Sequence, residues 1–116
     1  MAVMTLEISD ELAAKVEPVQ PYLPILLELS TTQFQTKAQE TAFELFRFIS
    51  QAPPPERVMD YFIGEKSQAR LRELGYLNNA GTISEQELIE YDELIAVGRI
   101  GTKMKIEAAK IMRGLR

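Results

Sequence analysis

The sequence predicts a mainly helical fold in which one short N-terminal strand is followed by five or six helices. Most of the 116 residues repeat apolar side chains every three or four positions, the period of an amphipathic helix, whereas residues 3–8 alternate with a period of two. Serine, proline and glycine stand where helix ends are expected. An apolar fraction of 46% with 26% charged residues is ordinary for a globular domain of this length.

Residues 3–8 have the pattern of a half-buried strand, with Met4, Leu6 and Ile8 on one side. No later segment has a second strand pattern, and an unpaired strand leaves its backbone groups without partners. We therefore expect the strands of two copies to pair, with Met4, Leu6 and Ile8 as dimerisation residues. Addition of the strand to the sheet edge of a different protein is the alternative.

The next segments are predicted from caps and prolines. Ser9 is placed to cap a short helix that ends near Glu17. Three prolines between residues 18 and 24 then break the chain, and a second helix is expected from about residue 23 to residue 50. Hydroxyl side chains at residues 30–32 are expected to bend or split that helix.

A proline linker at residues 51–55 divides the chain into two regions of one compact domain. Residues 1–52 form the predicted dimerisation region, and residues 53–116 form a helical partner-binding region. Short helices are predicted at residues 56–62 and 67–77, and Gly81 suits the left-handed turn after the second of these.

Ser84 and Glu87 form a capping box that predicts the start of the last helix. Its apolar spacing continues to residue 112 and is interrupted by Gly98 and Gly101, so we expect a bend or hinge near Gly98.

The charge is distributed unevenly. Residues 1–98 contain 7 Lys and Arg against 16 Asp and Glu, whereas residues 99–116 contain 6 against 1. The basic tail is an amphipathic helix that could pack on the core, dock a protein partner, or contact nucleic acid or a membrane surface. The residues predicted to bind a protein partner are Arg99, Lys103, Met104, Lys105, Ala108, Ile111 and Met112.

The composition argues against an enzyme. The chain has no cysteine and no histidine, which removes thiolate nucleophiles, the commonest general base and the commonest transition-metal ligand. Residues 78–87 resemble the later part of a calcium-binding loop that would begin at residue 76. Tyr76 and Ala80 would be its first and fifth residues, where oxygen ligands are needed. Neither a metal nor a cofactor is therefore predicted. Apolar runs fall short of the roughly 20 residues that span a bilayer, so a cytoplasmic location without membrane insertion is expected.

The order of strand, short helix, turn and helix at the N-terminus resembles the ribbon-helix-helix arrangement. In that family, outward residues of the paired strands enter the DNA major groove, which implies DNA contact by Thr5 and Glu7 here. Neither is a basic residue, and the body of the chain is acidic, which opposes binding to phosphates.

Over most of its length the chain also resembles a group of small, largely uncharacterised cyanobacterial proteins regarded as antitoxin-like. The matching segments are residues 6–12 (LEISDEL), 23–29 (LPILLEL), 46–56 and 68–91. The sequence departs from that group at residues 97–101, where the group implies an uninterrupted helix. This resemblance implies a partner-binding protein that neutralises a toxin. Together with the expected pairing of N-terminal strands, it predicts a homodimeric antitoxin-like protein. The alternative function is a non-catalytic helical adaptor or assembly subunit of a larger complex.

Overall fold

The computed structural model describes residues 1–114, and every regular element within them is helical. The mainly helical class predicted from the sequence is confirmed. The elements are α1 (Asp10–Val16), a 3-10 helix (Glu17–Tyr22), α2 (Leu23–Thr31), α3 (Ala38–Ser50), α4 (Pro55–Met59), α5 (Glu65–Ala80) and α6 (Glu85–Gly114).

The predicted N-terminal strand is wrong for the single chain. Residues 1–9 have no regular structure, and no strand forms between residues 1 and 114. Met4 and Leu6 are 91% and 76% exposed. The physical reason is that a strand needs the backbone groups of another strand, whereas every later element is a helix that satisfies its own backbone hydrogen bonds.

Residues 1–16 form an arm that lies against little of the rest of the chain. As predicted, Ser9 caps α1: the Leu12 N–H donates to Ser9 Oγ at 3.1 Å. No residue of α1 is buried, and the helix packs mainly against the adjoining 3-10 helix. The radius of gyration is 16.3 Å, larger than the roughly 13 Å expected for a compact chain of this length.

The helix expected over residues 23–50 is split into α2 and α3, which confirms the bend or split predicted at residues 30–32. The hydroxyls of Ser30 and Thr32 donate to carbonyls four residues earlier, which competes with continuation of the helix. The Glu93 carboxylate of α6 then accepts the backbone N–H groups of Gln35 and Thr36 at 2.8 and 3.1 Å. This contact ties the connection between the two helices to α6.

The core forms around α6, which packs against α2, α3, α4, α5 and the 3-10 helix. With 30 residues, α6 is about 45 Å long, which is long enough to contact all of these elements. The main cluster of buried side chains comprises Val19, Tyr22, Ile25, Leu26, Leu29, Ala42, Leu45, Ile49, Val58, Val97, Ile100, Met104 and Ala108. A smaller cluster of Ala38, Leu74 and Leu94 joins α3, α5 and α6.

The turn from α5 into α6 has the left-handed glycine and the capping box that the sequence predicts. Gly81 has a φ of 74°, in the left-handed region. The Glu87 N–H donates to Ser84 Oγ at 3.1 Å, and the Ser84 N–H donates to the Glu87 carboxylate at 3.0 Å. Hydrogen bonding of the Glu87 carboxylate to the backbone N–H of Ser84, and to its hydroxyl, holds the pKa of Glu87 below its usual value. The capping box therefore sets the direction in which α6 starts.

Gly98 and Gly101 do not end α6, because the helix is continuous from Glu85 to Gly114. The bend or hinge expected near Gly98 stays a prediction. A Cβ atom at Gly98 or Gly101 would meet no atom within 4 Å. The packing therefore does not require a glycine at either position, and the buried neighbours Val97 and Ile100 hold the helix in place.

We expect Gly98→Ala to stabilise the fold. The position is helical, exposed and open, so alanine removes about 1 kcal/mol of backbone entropy cost without creating a clash. Chemical denaturation of the variant measures this gain. Gly81→Ala is the comparison variant and should lower the stability, because Gly81 has a positive φ that alanine adopts only with strain. Destabilisation by Gly98→Ala would show that the helix needs a glycine at this point.

Tyr22→Phe should leave the free energy of unfolding unchanged or raise it by up to about 1 kcal/mol. The Tyr22 hydroxyl is buried and has no hydrogen-bond partner within residues 1–114. Burial raises its pKa, and the nearby carboxylates Glu107 and Glu56 raise it further. A large loss of stability in thermal denaturation would contradict this and indicate a bonded hydroxyl.

Candidate partner-binding surfaces

The arm brings the predicted dimerisation residues to the surface but gives them nothing to pack against. Ile8 is 40% exposed, less than Met4 or Leu6, because it adjoins the start of α1. Thr5 and Glu7, the predicted DNA contacts, are exposed in the same irregular segment. No second strand lies beside them in residues 1–114, so the ribbon that would enter a DNA groove is not formed by one chain.

The outward side of the second half of α6 carries a row of cationic residues. Four of them and one apolar residue follow one another at intervals of four, three, four and three positions, so they lie on one side of the helix. The row is about 21 Å long. We call it the cationic face, and it comprises Arg99, Lys103, Ile106, Lys110 and Arg113.

The ion pairs of the cationic face are weak and exposed. Lys103 Nζ lies 3.1 Å from the Glu28 carboxylate of α2, and Lys110 Nζ lies 3.3 Å from Glu107. The two lysine side chains are 57% and 60% exposed. Exposed pairs of this kind contribute about 0–1 kcal/mol, so both lysines can exchange their partners for carboxylates of another protein.

The structure corrects two of the residues predicted to bind a partner. Met104 and Ala108 are both 0% exposed and belong to the core, so neither can reach a partner in this fold. Ile111 and Met112 are half-buried, and Lys105 lies with its Nζ 4.4 Å from the centre of the Phe62 ring. Only Arg99 and Lys103 of the predicted set belong to the cationic face.

Ile106, Lys110 and Arg113 were not among the residues that the sequence predicted to bind a partner. Ile106 is 50% exposed although it is apolar, and it lies in the middle of the cationic face. The three-to-four spacing that joins these residues to Arg99 was visible in the sequence. What the sequence did not show is which side of the helix the core would take.

A second surface feature is an apolar groove between α2 and α3. Its volume is about 360 Å³. Phe43 is 56% exposed at its edge, and the Arg47 guanidinium lies 4.9 Å from the centre of that ring. We call this feature the aromatic groove, and its apolar lining is Leu29, Phe34, Ala42, Phe43 and Phe46.

A third surface feature is a cleft of about 690 Å³ between α3, α5 and α6, whose lining residues are mostly polar or charged. Arg70 of α5 donates two hydrogen bonds, from Nε and Nη2, to the Glu90 carboxylate of α6, both at 2.9 Å. A further hydrogen bond joins Arg70 to Glu73, and the hydroxyls of Thr41 and Ser67 lie 2.8 Å apart. The cleft therefore contains polar groups that already satisfy one another.

The chemistry of this cleft favours a structural clamp. The two hydrogen bonds from Arg70 hold the pKa of Glu90 below its usual value, and the same bonds raise the pKa of Arg70. Glu90 is therefore ionised at neutral pH and cannot donate a proton as a general acid. Within residues 1–114, no three acidic, histidine or cysteine side chains are grouped as a metal site. The absence of catalysis remains a prediction.

None of the helices in the described part of the chain combines the length and apolar character that crossing a membrane requires.

Comparisons of the chain with protein-family models, with curated proteins and with solved structures found no match.

We expect Arg70→Met to destabilise the protein by about 2 kcal/mol at pH 7, because it removes two charge-assisted hydrogen bonds between α5 and α6. The pKa of Glu90 is lowered by folding, so the pair stabilises the fold fully above the ordinary carboxyl pKa of 4.5. That stabilisation is lost as the pH falls below this value. The difference between variant and wild type should therefore shrink below pH 4.5 in denaturation experiments.

Arg72→Met, on the exposed side of the same helix, is the control and should change stability by less than about 0.5 kcal/mol. Equal effects of the two substitutions at every pH would rule out the clamp.

Proposed function

We propose that this protein is a non-catalytic, antitoxin-like protein that binds and neutralises a protein partner, and that the cationic face of α6 contacts an acidic surface of that partner. The observation that carries the proposal is the position of four Lys and Arg residues on one exposed side of a helix. The preceding 98 residues contain more than twice as many acidic as basic residues. Complementary charge of this kind speeds association and selects partners.

A protein partner fits this surface better than nucleic acid does. Ile106 exposes half of its side chain at the centre of the cationic face, and protein interfaces have an apolar centre with a polar rim. A nucleic acid lying on α6 would also approach acidic residues of the neighbouring helices, including Glu28 beside Lys103. Phosphate recognition favours an extended basic surface without such groups.

Neutralisation is the part of the proposal that rests on the resemblance to antitoxin-like proteins. The cationic face supports binding to a partner, and the resemblance supplies the consequence of that binding. A helical adaptor would use the same surface without inhibiting the protein it binds.

The first experiment identifies the partner and measures the effect on it. The tagged chain is purified from its native cells, and co-purified proteins are identified by mass spectrometry. A co-purified protein, such as a nuclease-like product of the adjoining reading frame, is then expressed alone and together with this chain. We expect growth to be inhibited by the partner alone and restored by co-expression.

Charge reversal on the cationic face should weaken binding. Arg99→Glu combined with Lys110→Glu replaces attraction by repulsion at two exposed positions, and we expect the affinity to fall between about tenfold and a hundredfold in calorimetric titration. The same binding should weaken as the salt concentration rises, because exposed charges are screened. Restoration of growth should be lost in parallel.

The matched control is Lys66→Glu combined with Arg72→Glu, which makes the same change in net charge on exposed positions of α5. It should bind and restore growth like the wild type. Equal loss in both variants would show that only net charge matters and would contradict the assigned surface. Binding without any effect on growth would favour the adaptor.

A further inference from the structure

The exposed side of α6 that carries the cationic face continues toward the N-terminus of the helix. Glu85, Leu88 and Asp92 are exposed there and follow one another at intervals of three and four positions. Asp92 precedes Arg99 by seven positions, about two helical turns, so the two sets lie on one line along the helix. We call Glu85, Leu88 and Asp92 the acidic face.

The two halves of α6 carry opposite charge. Residues 85–98 contain five Asp and Glu and no Lys or Arg, whereas residues 99–114 contain five Lys and Arg and one Glu. The helix macrodipole favours such charges only within the first and last turns. The separation of charge in α6 extends over about eight turns, so the macrodipole does not account for it.

We propose that α6 of one copy pairs with α6 of a second copy in antiparallel orientation, so that the acidic face of each copy lies against the cationic face of the other. A surface that meets its own copy about a two-fold axis must be self-complementary. Opposite charge in the two halves of α6 fulfils this condition for antiparallel helices. Parallel helices would place like charges beside one another.

The apolar residues of the two faces fix the register of the pair. Leu88 is 40% exposed and Ile106 is 50% exposed, one in each half of α6. When Leu88 lies opposite Ile106 of the second copy, the two-fold axis passes near Val97, midway between them. The same contact then forms twice in the dimer. Each exposed apolar side chain of α6 thereby gains an apolar neighbour.

This register also places opposite charges together. Glu85 lies opposite Lys110 of the second copy, and Asp92 lies opposite Lys103. The two arginines of the cationic face lie about one turn from the same carboxylates. Lys103 is already paired with Glu28 of its own chain, but this pair is exposed and can be shared or exchanged. A dimer therefore contains four ion pairs around two apolar contacts.

The size of the contact is that of a weak dimer. Residues 85–110 of the two helices overlap over about 39 Å, and a strip about 10 Å wide covers about 390 Å² on each copy. A stable complex buries about 800 Å² on each partner. We therefore expect a dissociation constant in the micromolar range that rises with salt concentration, because the ion pairs are exposed.

Dimerisation of this kind competes with the binding of an acidic protein partner, a consequence that rests on the proposed function. The cationic face cannot contact the acidic face of a second copy and a partner at the same time. Since the dimer is weak, a partner with a larger complementary surface displaces the second copy.

Engineered cysteines test the register, because the natural chain has none. Leu88→Cys and Ile106→Cys are made in separate chains, which are mixed under oxidising conditions. The mixture should form a disulfide-linked dimer, since the two positions lie opposite one another. Either variant alone should cross-link at least about tenfold more slowly, because its two cysteines would lie about 27 Å apart.

The control for cross-linking is a mixture of Leu88→Cys with Tyr76→Cys. Tyr76 is a 75% exposed residue of α5, so this mixture should cross-link as slowly as the single variants. Cross-linking of Leu88→Cys alone at the rate of the matched mixture would indicate parallel helices and overturn the proposal.

Charge reversal tests the complementarity by sedimentation equilibrium of the full-length chain at low salt. Glu85→Lys combined with Asp92→Lys should weaken the dimer at least about tenfold, because attraction becomes repulsion. Addition of Lys103→Glu and Lys110→Glu in the same chain exchanges the charges of both faces and should restore the dimer. Circular dichroism should show unchanged helicity, since all four positions are exposed.

The matched control is Glu44→Lys combined with Glu65→Lys, which makes the same change in net charge at exposed positions of α3 and α5. It should dimerise like the wild type. Equal weakening by both pairs of substitutions would overturn the proposal, as would a wild type that stays monomeric at millimolar concentration and low salt. These measurements use the purified chain alone, so their failure would leave the proposed function standing.

Discussion

The fold depends on burial of one side of α6. Val97, Ile100, Met104 and Ala108 recur every three or four residues and are almost completely excluded from water. Burial of aliphatic side chains contributes about 1.5–3 kcal/mol for each of the larger ones, and α6 is the element against which α2, α3, α4 and α5 all pack. Without this contact, the shorter helices would have no common surface to cover.

This constraint also decides which surfaces remain available. Because the apolar side of α6 is used for the core, its opposite side faces water, and the cationic residues lie there. The polar contacts reinforce the same arrangement: Glu93 binds the connection before α3, and Glu90 binds Arg70 of α5. Glu90 and Glu93 thus fix the elements next to α6, and the outward Lys and Arg residues remain exposed.

The arm illustrates the opposite situation. Its apolar residues are as hydrophobic as those of the core, but they belong to a segment that contacts little apart from the adjoining 3-10 helix. The backbone of residues 1–9 forms no ladder and α1 buries nothing, so the arm gains little from its own chain.

The sequence by itself determined the local structure. Caps and turns at Ser9, Gly81 and Ser84 act within a few residues, so their hydrogen bonds and φ values followed from residue type alone. The helical class and the proline linker are local in the same sense. Tertiary structure decided what depends on distant contacts. It bound the connection at residues 35 and 36 to Glu93, continued α6 past Gly98, and buried Met104 and Ala108 in the core. It also left residues 3–8 unpaired. Apolar residues that alternate with a period of two show that a segment is able to form a strand, but a strand forms only beside another strand.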